Sequence, residues 1–195
     1  MTRFTRWWFG ASLLVAFVAG GANPARAQSQ TQAESPAAQR YFTDTLLINQ
    51  DNKTARFYSD LLKDKTVVIN SFYASEHQGC TAMFLNLVKV RNALGSAAKN
   101  VAFISITVDP LTDTPATLKA LSQRFNVDAG WSFITGKKEN VELALKKLGM
   151  FVTDKDDHVM ILIIGNERTG LWKKALAMGR PDEIAKIITE TGNDK

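Results

Sequence analysis

Residues 66–81, TVVINSFYASEHQGCT, lead from an apolar run through a polar loop to the only cysteine of the chain, Cys80. The run at 66–70 is rich in β-branched residues, which is typical of a strand that is covered on both faces of a sheet. A helical pattern follows from residue 82 to about residue 94. At such a junction the helix N-terminus has unpaired N–H groups and a partial positive charge, which stabilise a thiolate. The stretch therefore predicts an α/β fold with a reactive site at Cys80.

Strand and helix patterns alternate through the rest of the chain. This order predicts a mixed sheet with helices on its faces, and it matches a thioredoxin-like architecture with an added N-terminal β-hairpin. Thr114 is predicted to cap a helix whose first residue is Pro115. The predicted strands are 41–48, 54–58, 66–73, 101–108, 130–135, 158–164 and 171–177, and the predicted helices are 82–94, 115–125, 138–148 and 181–191.

The N-terminal residues 1–27 have the pattern of an export signal peptide. Arg3 and Arg6 precede an uncharged apolar stretch, and residues 25–27, ARA, match a small–x–small cleavage site. The apolar stretch is shorter than the ~20 residues of a usual membrane-spanning helix, so cleavage is favoured over an uncleaved membrane anchor. Residues 28–40 are rich in Gln, Ala, Ser and Thr and are predicted to form a flexible linker. The folded domain is expected over 41–195, in the periplasm.

The charge and the cysteine content of the chain exclude some classes of function. The formal net charge is +5, and removing the three arginines of the predicted leader leaves +2. Lysine and arginine are interspersed with acidic residues and form no long basic stripe, so a nucleic-acid partner is not expected. An exported protein with one cysteine has no internal disulfide, and its thiol will be oxidised, pair with another molecule or hold a soft metal.

Several motifs resemble the Sco (SenC) family. The stretch 72–80, in which a strand and a loop lead to a cysteine and a helix, is similar to the corresponding stretch of that family. The sequence TVDPLTDTP at 107–115 resembles the family's VDP-x-x-DTP motif and is the most specific match. His158, after an aspartate, is similar to the family's single metal-binding histidine, and 162–164 with the glycine-bounded turn resembles its final hairpin. The resemblance covers about 41–191.

The resemblance implies a fold, a cargo and a partner. Sco proteins are exported thioredoxin-fold copper carriers that serve cytochrome oxidase assembly. The chain is accordingly expected to bind copper, as Cu(I) or Cu(II), with Cys80 and His158 in the ligand positions. It is expected to be a copper chaperone or sensor rather than an enzyme. Its partner would be a respiratory or periplasmic protein that receives copper.

The chain departs from the family at the first cysteine of the Cys-Pro-x-x-Cys-Pro motif. Glu76 occupies that position, and Cys80 occupies the position of the second cysteine. His77 and Thr81 stand where the family has prolines. The family's three-ligand set is therefore reduced to a cysteine and a histidine, with a carboxylate at the third position.

This substitution changes the expected metal preference. Cu(I) favours thiolate, thioether and imidazole, so a Cys–His pair would hold it less firmly than a Cys–Cys–His set. Cu(II) accepts oxygen ligands, so Glu76 could join Cys80 and His158. His77 borders the loop and is an additional candidate. Met83 is a soft ligand type, but its helical spacing favours a place in the core.

Two other functions remain open from the residues alone. Dithiol exchange within one molecule is excluded, because it needs a second sulfur. A single-cysteine thiol reductase or peroxidase could use Cys80 with an outside thiol partner, although the chain has no Lys or Arg between residues 71 and 87 to activate it. The third possibility is a Sco-like domain that binds a partner without metal. The copper hypothesis requires the sulfur of Cys80 to lie beside the imidazole of His158.

Overall fold

The computed structural model describes residues 37–75, 79–127 and 129–195. The predicted export signal, most of the predicted linker, Glu76 and His77 lie outside these ranges. None of the helices in the described ranges has the length and apolar character that crossing a bilayer requires.

A seven-stranded mixed sheet confirms the predicted thioredoxin-like architecture. Its strands are β1 (Leu46–Asn49), β2 (Thr54–Arg56), β3 (Thr66–Phe72), β4 (Val101–Thr107), β5 (Trp131–Thr135), β6 (Ile161–Asn166) and β7 (Leu171–Leu176). Their order in the sheet is β2-β1-β5-β4-β3-β6-β7. Strand β3 is parallel to β4, and β4 is parallel to β5, whereas the hairpins β1–β2 and β6–β7 are antiparallel.

Helices cover both faces of the sheet, and this explains the continuous apolar pattern of β3. They are α1 (Ala37–Phe42), α2 (Gly79–Ala93), α3 (Pro115–Arg124), α4 (Lys138–Leu148) and α5 (Pro181–Gly192). Val68 and Phe72 belong to the hydrophobic cluster under α2, α3 and α5. Val67 and Ile69 belong to the cluster under α1 and α4. Alternate side chains of a strand point to opposite faces, so a strand between two helical layers is apolar at every position.

The N-terminal part of the domain differs from the sequence prediction. Residues 41–45 were predicted as strand and 37–40 as linker, but 37–42 form helix α1 and β1 starts only at Leu46. The apolar residues of α1 have helical spacing, and Phe42 packs against the rings of Phe57 and Trp172. This packing across the chain stabilises a short helix whose aromatic residues locally favour a strand.

Three further element boundaries differ from the sequence prediction. The second strand was predicted to reach residue 58, but it ends at Arg56 and a π-helical segment, Phe57–Leu62, follows. Helix α2 starts at Gly79, three residues earlier than predicted, so Cys80 lies inside its first turn. Strand β6 starts at Ile161, three residues after the predicted start at His158.

Helix α3 begins as predicted, and its cap gives a testable effect. The Thr114 hydroxyl accepts a hydrogen bond of 3.2 Å from the backbone N–H of Thr117, and Pro115 is the first helical residue. We expect Thr114→Ala to lower the free energy of unfolding by about 1 kcal/mol, because the N–H loses its acceptor. Urea denaturation of Thr114→Ala and Thr114→Ser measures this. Equal stability of the alanine variant and the unaltered chain would show that the cap contributes nothing.

Candidate metal centre

The topology of the sheet brings three segments together at one edge. Strands β3 and β4 are parallel, and their last residues, Phe72 and Thr107, are register partners. Strand β6 is antiparallel to β3, with Ile163 opposite Ile69, so the start of β6 lies at the edge where β3 and β4 end. The loop after β3, the loop after β4 and the residues before β6 therefore meet. These are the segments in which the sequence placed its candidate residues.

Cys80 lies in the first turn of α2 and faces inward. Its side chain belongs to the hydrophobic cluster that includes Phe72 and Phe84, and the residue is only 2% exposed. The sequence interpretation favoured an accessible thiol, whereas the structure buries it. The Cys80 Sγ lies 3.7 Å from Nε2 of His158.

His158 follows a short 3₁₀ helix, Lys155–Asp157, and has an extended backbone, with φ −63° and ψ 141°. Its Nδ1 lies 2.9 Å from the carbonyl oxygen of Lys155. A carbonyl oxygen only accepts hydrogen bonds, so Nδ1 carries the proton of the neutral ring. Nε2 then has a lone pair that faces the sulfur of Cys80. The ring of Tyr73 packs edge-to-face on the imidazole, with centroids 5.3 Å apart.

Two polar contacts hold the turn that precedes His158. Lys155 Nζ forms a 2.8 Å ion pair with Asp109 Oδ2. The hydrogen bond from Lys155 lowers the pKa of the Asp109 carboxyl, and the hydrogen bond to Asp109 raises the pKa of Lys155. The Tyr73 hydroxyl donates a 2.7 Å hydrogen bond to Asp156 Oδ1. The turn before His158 is thus tied to the segments that follow β3 and β4.

Hydrogen bonds from the motif at 107–115 hold the two loops that lead to the candidate site. The buried Asp113 carboxylate accepts hydrogen bonds from the Thr107 hydroxyl and, at 2.9 Å, from the backbone N–H of Ala74. Thr107 Oγ1 in turn accepts from the N–H of Asp109 at 2.9 Å. Burial raises the pKa of Asp113, although the hydrogen bond from Thr107 opposes the shift. The motif therefore joins the loop after β4 to the start of the loop that leads to Cys80.

The remaining candidates have less support in the described residues. Met83 is fully buried, and the amide nitrogen of Asn70 lies 3.8 Å from its sulfur, which agrees with the core position that its spacing favoured. Asp154 accepts a hydrogen bond from the N–H of Asp156, as in an ordinary turn. In the described ranges, no three side chains of His, Cys, Asp or Glu are grouped as metal ligands.

Sequence reasoning missed Lys155. Lysine is not a usual metal ligand, and Lys155 lies in a charged loop, so nothing in the sequence singles it out. Its importance comes from the contact with Asp109, 46 positions earlier in the chain. The family resemblance pointed to the motif that contains Asp109, but only the folded structure shows that this aspartate contacts Lys155.

Comparison with known proteins places the chain among related folds. Three similar solved structures are ScoI of Bradyrhizobium japonicum with copper bound, BsSco, a member of the Sco family of cytochrome c oxidase assembly proteins, and yeast Sco1 with copper bound. They are 23%, 22% and 19% identical to the chain, with TM-scores of 0.63, 0.64 and 0.63. The matches cover 75%, 77% and 77% of this chain and 96%, 92% and 92% of those proteins.

The sequence itself identifies the family. No protein with a curated description matches the chain at a significant level. The family model described as SCO1/SenC, however, matches residues 31–190, which include Cys80, His158 and the motif at 107–115. The chain belongs to the SCO1/SenC family.

Proposed function

We propose that this SCO1/SenC protein binds copper through Cys80 and His158. The supporting observation is the 3.7 Å separation of Sγ and Nε2. A sulfur and a nitrogen bound to one small divalent ion, each at roughly 2.0–2.3 Å and at a wide angle, are separated by about this distance. The pair can therefore bind one ion with little movement of the backbone.

The chemistry of the pair suits copper. Thiolate and imidazole are the soft and intermediate ligands that copper accepts in both oxidation states. A third ligand from Glu76 would favour Cu(II), whereas His77 would serve either state. Copper is present in the related ScoI of Bradyrhizobium japonicum and in yeast Sco1, which share the fold.

The cargo would be delivered to, or sensed for, a respiratory or periplasmic copper enzyme. The signal-like pattern of residues 1–27 supports export. The related BsSco is described as a cytochrome c oxidase assembly protein, which supports a respiratory partner that receives copper. In the proposed site a half-buried histidine, which a partner could reach, lies beside a buried cysteine.

A copper titration of the purified, reduced protein tests the proposal. We expect uptake of one copper ion and, with Cu(II), an absorption band for charge transfer from thiolate to metal. The band should disappear in both Cys80→Ala and His158→Ala, because each removes one of the two ligands. Met83→Leu, which alters a buried sulfur outside the pair, serves as the matched control and should keep the band.

Two results would contradict the copper proposal. Copper binding that is unchanged in both ligand variants would place the metal elsewhere. Absence of copper uptake, together with peroxide turnover that depends on Cys80, would instead favour the single-cysteine enzyme. Burial of the sulfur argues against that enzyme, since an attacking thiolate must be reached by its substrate.

A further inference from the structure

We infer that the ion pair between Lys155 and Asp109 is a positioning device for His158. It holds the backbone carbonyl that fixes the imidazole proton on Nδ1 and so directs the lone pair of Nε2 at Cys80. The role as a ligand-positioning pair rests on the proposed copper function. The effect on the imidazole proton does not, and it can be measured without metal.

The backbone carbonyl of Lys155 contacts both the main chain and the ring of His158. The backbone oxygen of Lys155 accepts the N–H of His158 at 3.2 Å and lies 2.9 Å from its ring Nδ1. Both the main chain and the ring of His158 are thus oriented by the same atom. If this oxygen moved, the preference for a proton on Nδ1 would be lost.

The position of the Lys155 carbonyl depends on the ion pair with Asp109. The Lys155–Asp157 helix is only three residues long, so its own backbone hydrogen bonds constrain it weakly. The side chain of Lys155 extends to the loop after β4 and pairs with Asp109 at 2.8 Å. The N–H of Asp109 is held by Thr107, the last residue of β4. The ion pair therefore connects the short helix to the central part of the sheet.

The nitrogen of His158 that carries the proton decides whether a metal can bind beside the cysteine sulfur. A proton on Nε2 instead of Nδ1 would point at the cysteine sulfur and occupy the position that a metal needs. Hydrogen bonds that orient a histidine ligand through its second nitrogen typically change metal affinity by about 10- to 100-fold. The Lys155–Asp109 pair acts one bond further out, through the carbonyl of Lys155, so we expect the lower part of that range.

The decisive measurement is nitrogen NMR of the imidazoles in the reduced, metal-free protein at pH 8. His77→Gln in every sample leaves one histidine signal. We expect the chain with this background to show the Nδ1–H form, and Asp109→Asn or Lys155→Gln to show a mixture of both forms. Lys155→Arg, which keeps the charge, should restore the Nδ1–H form. Asp51→Asn is the matched control, because it breaks the exposed 2.6 Å ion pair with Lys119 elsewhere on the surface.

Copper affinity gives the second readout. Asp109→Asn and Lys155→Gln should each weaken copper binding by about tenfold, and the double variant should be no weaker than either single variant, because both remove one interaction. Asp51→Asn and Lys155→Arg should stay near the unaltered affinity.

The two proposals fail in different ways. Absence of copper uptake by the unaltered protein would contradict the proposed function, and the imidazole spectrum would still decide the positioning role. An unchanged Nδ1–H form in folded Asp109→Asn and Lys155→Gln would overturn the positioning role, whatever copper does. A mixed form in Asp51→Asn would also overturn it, because the effect would then not depend on this ion pair.

Discussion

Replacing Phe84 with alanine is expected to lower the free energy of unfolding by about 3–5 kcal/mol. Phe84 is only 1% exposed and lies one turn after Cys80 on α2. Its ring centroid is 5.3 Å from that of Phe72, 5.0 Å from that of Phe125 and 5.3 Å from that of Phe133. Alanine would leave a cavity among rings that belong to different elements, and these cannot all close on it.

Leu85 is the matched control for this prediction. It is the next residue of the same helix but is 52% exposed, so Leu85→Ala should change the unfolding free energy by no more than about 0.5 kcal/mol. Urea denaturation of both variants gives the comparison. If Phe84→Ala cost no more than Leu85→Ala, the aromatic cluster under α2 would not be packed as described. Loss of the cluster should also loosen the first turn of α2, which holds Cys80.

The parts of the fold that sequence predicted well are those with strong local patterns. Strands β3 and β4 end within one residue of the prediction, because a strand buried on both faces leaves a continuous apolar run. Helix α4 has the predicted bounds, since its apolar residues recur at helical spacing and Gly149 follows in a left-handed conformation. The alternation of these elements was enough to predict the mixed sheet.

The parts that sequence missed depend on contacts between distant residues. Helix α1 was predicted as linker and strand because its stabilising contacts, Phe57 and Trp172, lie far along the chain. The burial of Cys80 could not be inferred from a loop-to-helix junction, which leaves open the direction in which the side chain points. A resemblance to a family proposed Cys80 and His158 as a pair, but the residues alone gave no distance between them.

Asp113→Ala is expected to lower the free energy of unfolding by about 2–4 kcal/mol at acidic pH. The Asp113 side chain is buried and accepts hydrogen bonds from the Thr107 hydroxyl and the Ala74 N–H. Alanine would leave both donors without this acceptor, and buried donors are costly to leave unpaired. Asp113→Asn keeps one acceptor oxygen, so it should lose less stability than the alanine variant.

The size of this effect should depend on pH. Burial raises the pKa of Asp113 above its unfolded value of 3.8, with the Thr107 and Ala74 hydrogen bonds acting in the opposite direction. The folded state then binds the proton more tightly, so stability due to the protonated group is complete below pH 3.8 and is lost as pH rises through the folded pKa. The difference between the unaltered chain and Asp113→Ala should therefore be larger near pH 3.5 than at pH 7.

Urea denaturation of both proteins across this range measures the difference directly. Acids with lowered pKa values, such as Asp60 at about 2 and Asp44, make the whole protein less stable as the pH falls, but they are present in both chains and cancel in the comparison. A difference that grew as pH rose would mean that the folded state favours the Asp113 carboxylate. The hydrogen bonds from Thr107 and Ala74 would then outweigh burial, and Asp113 would hold a fixed negative charge at the start of the loop that leads to Cys80.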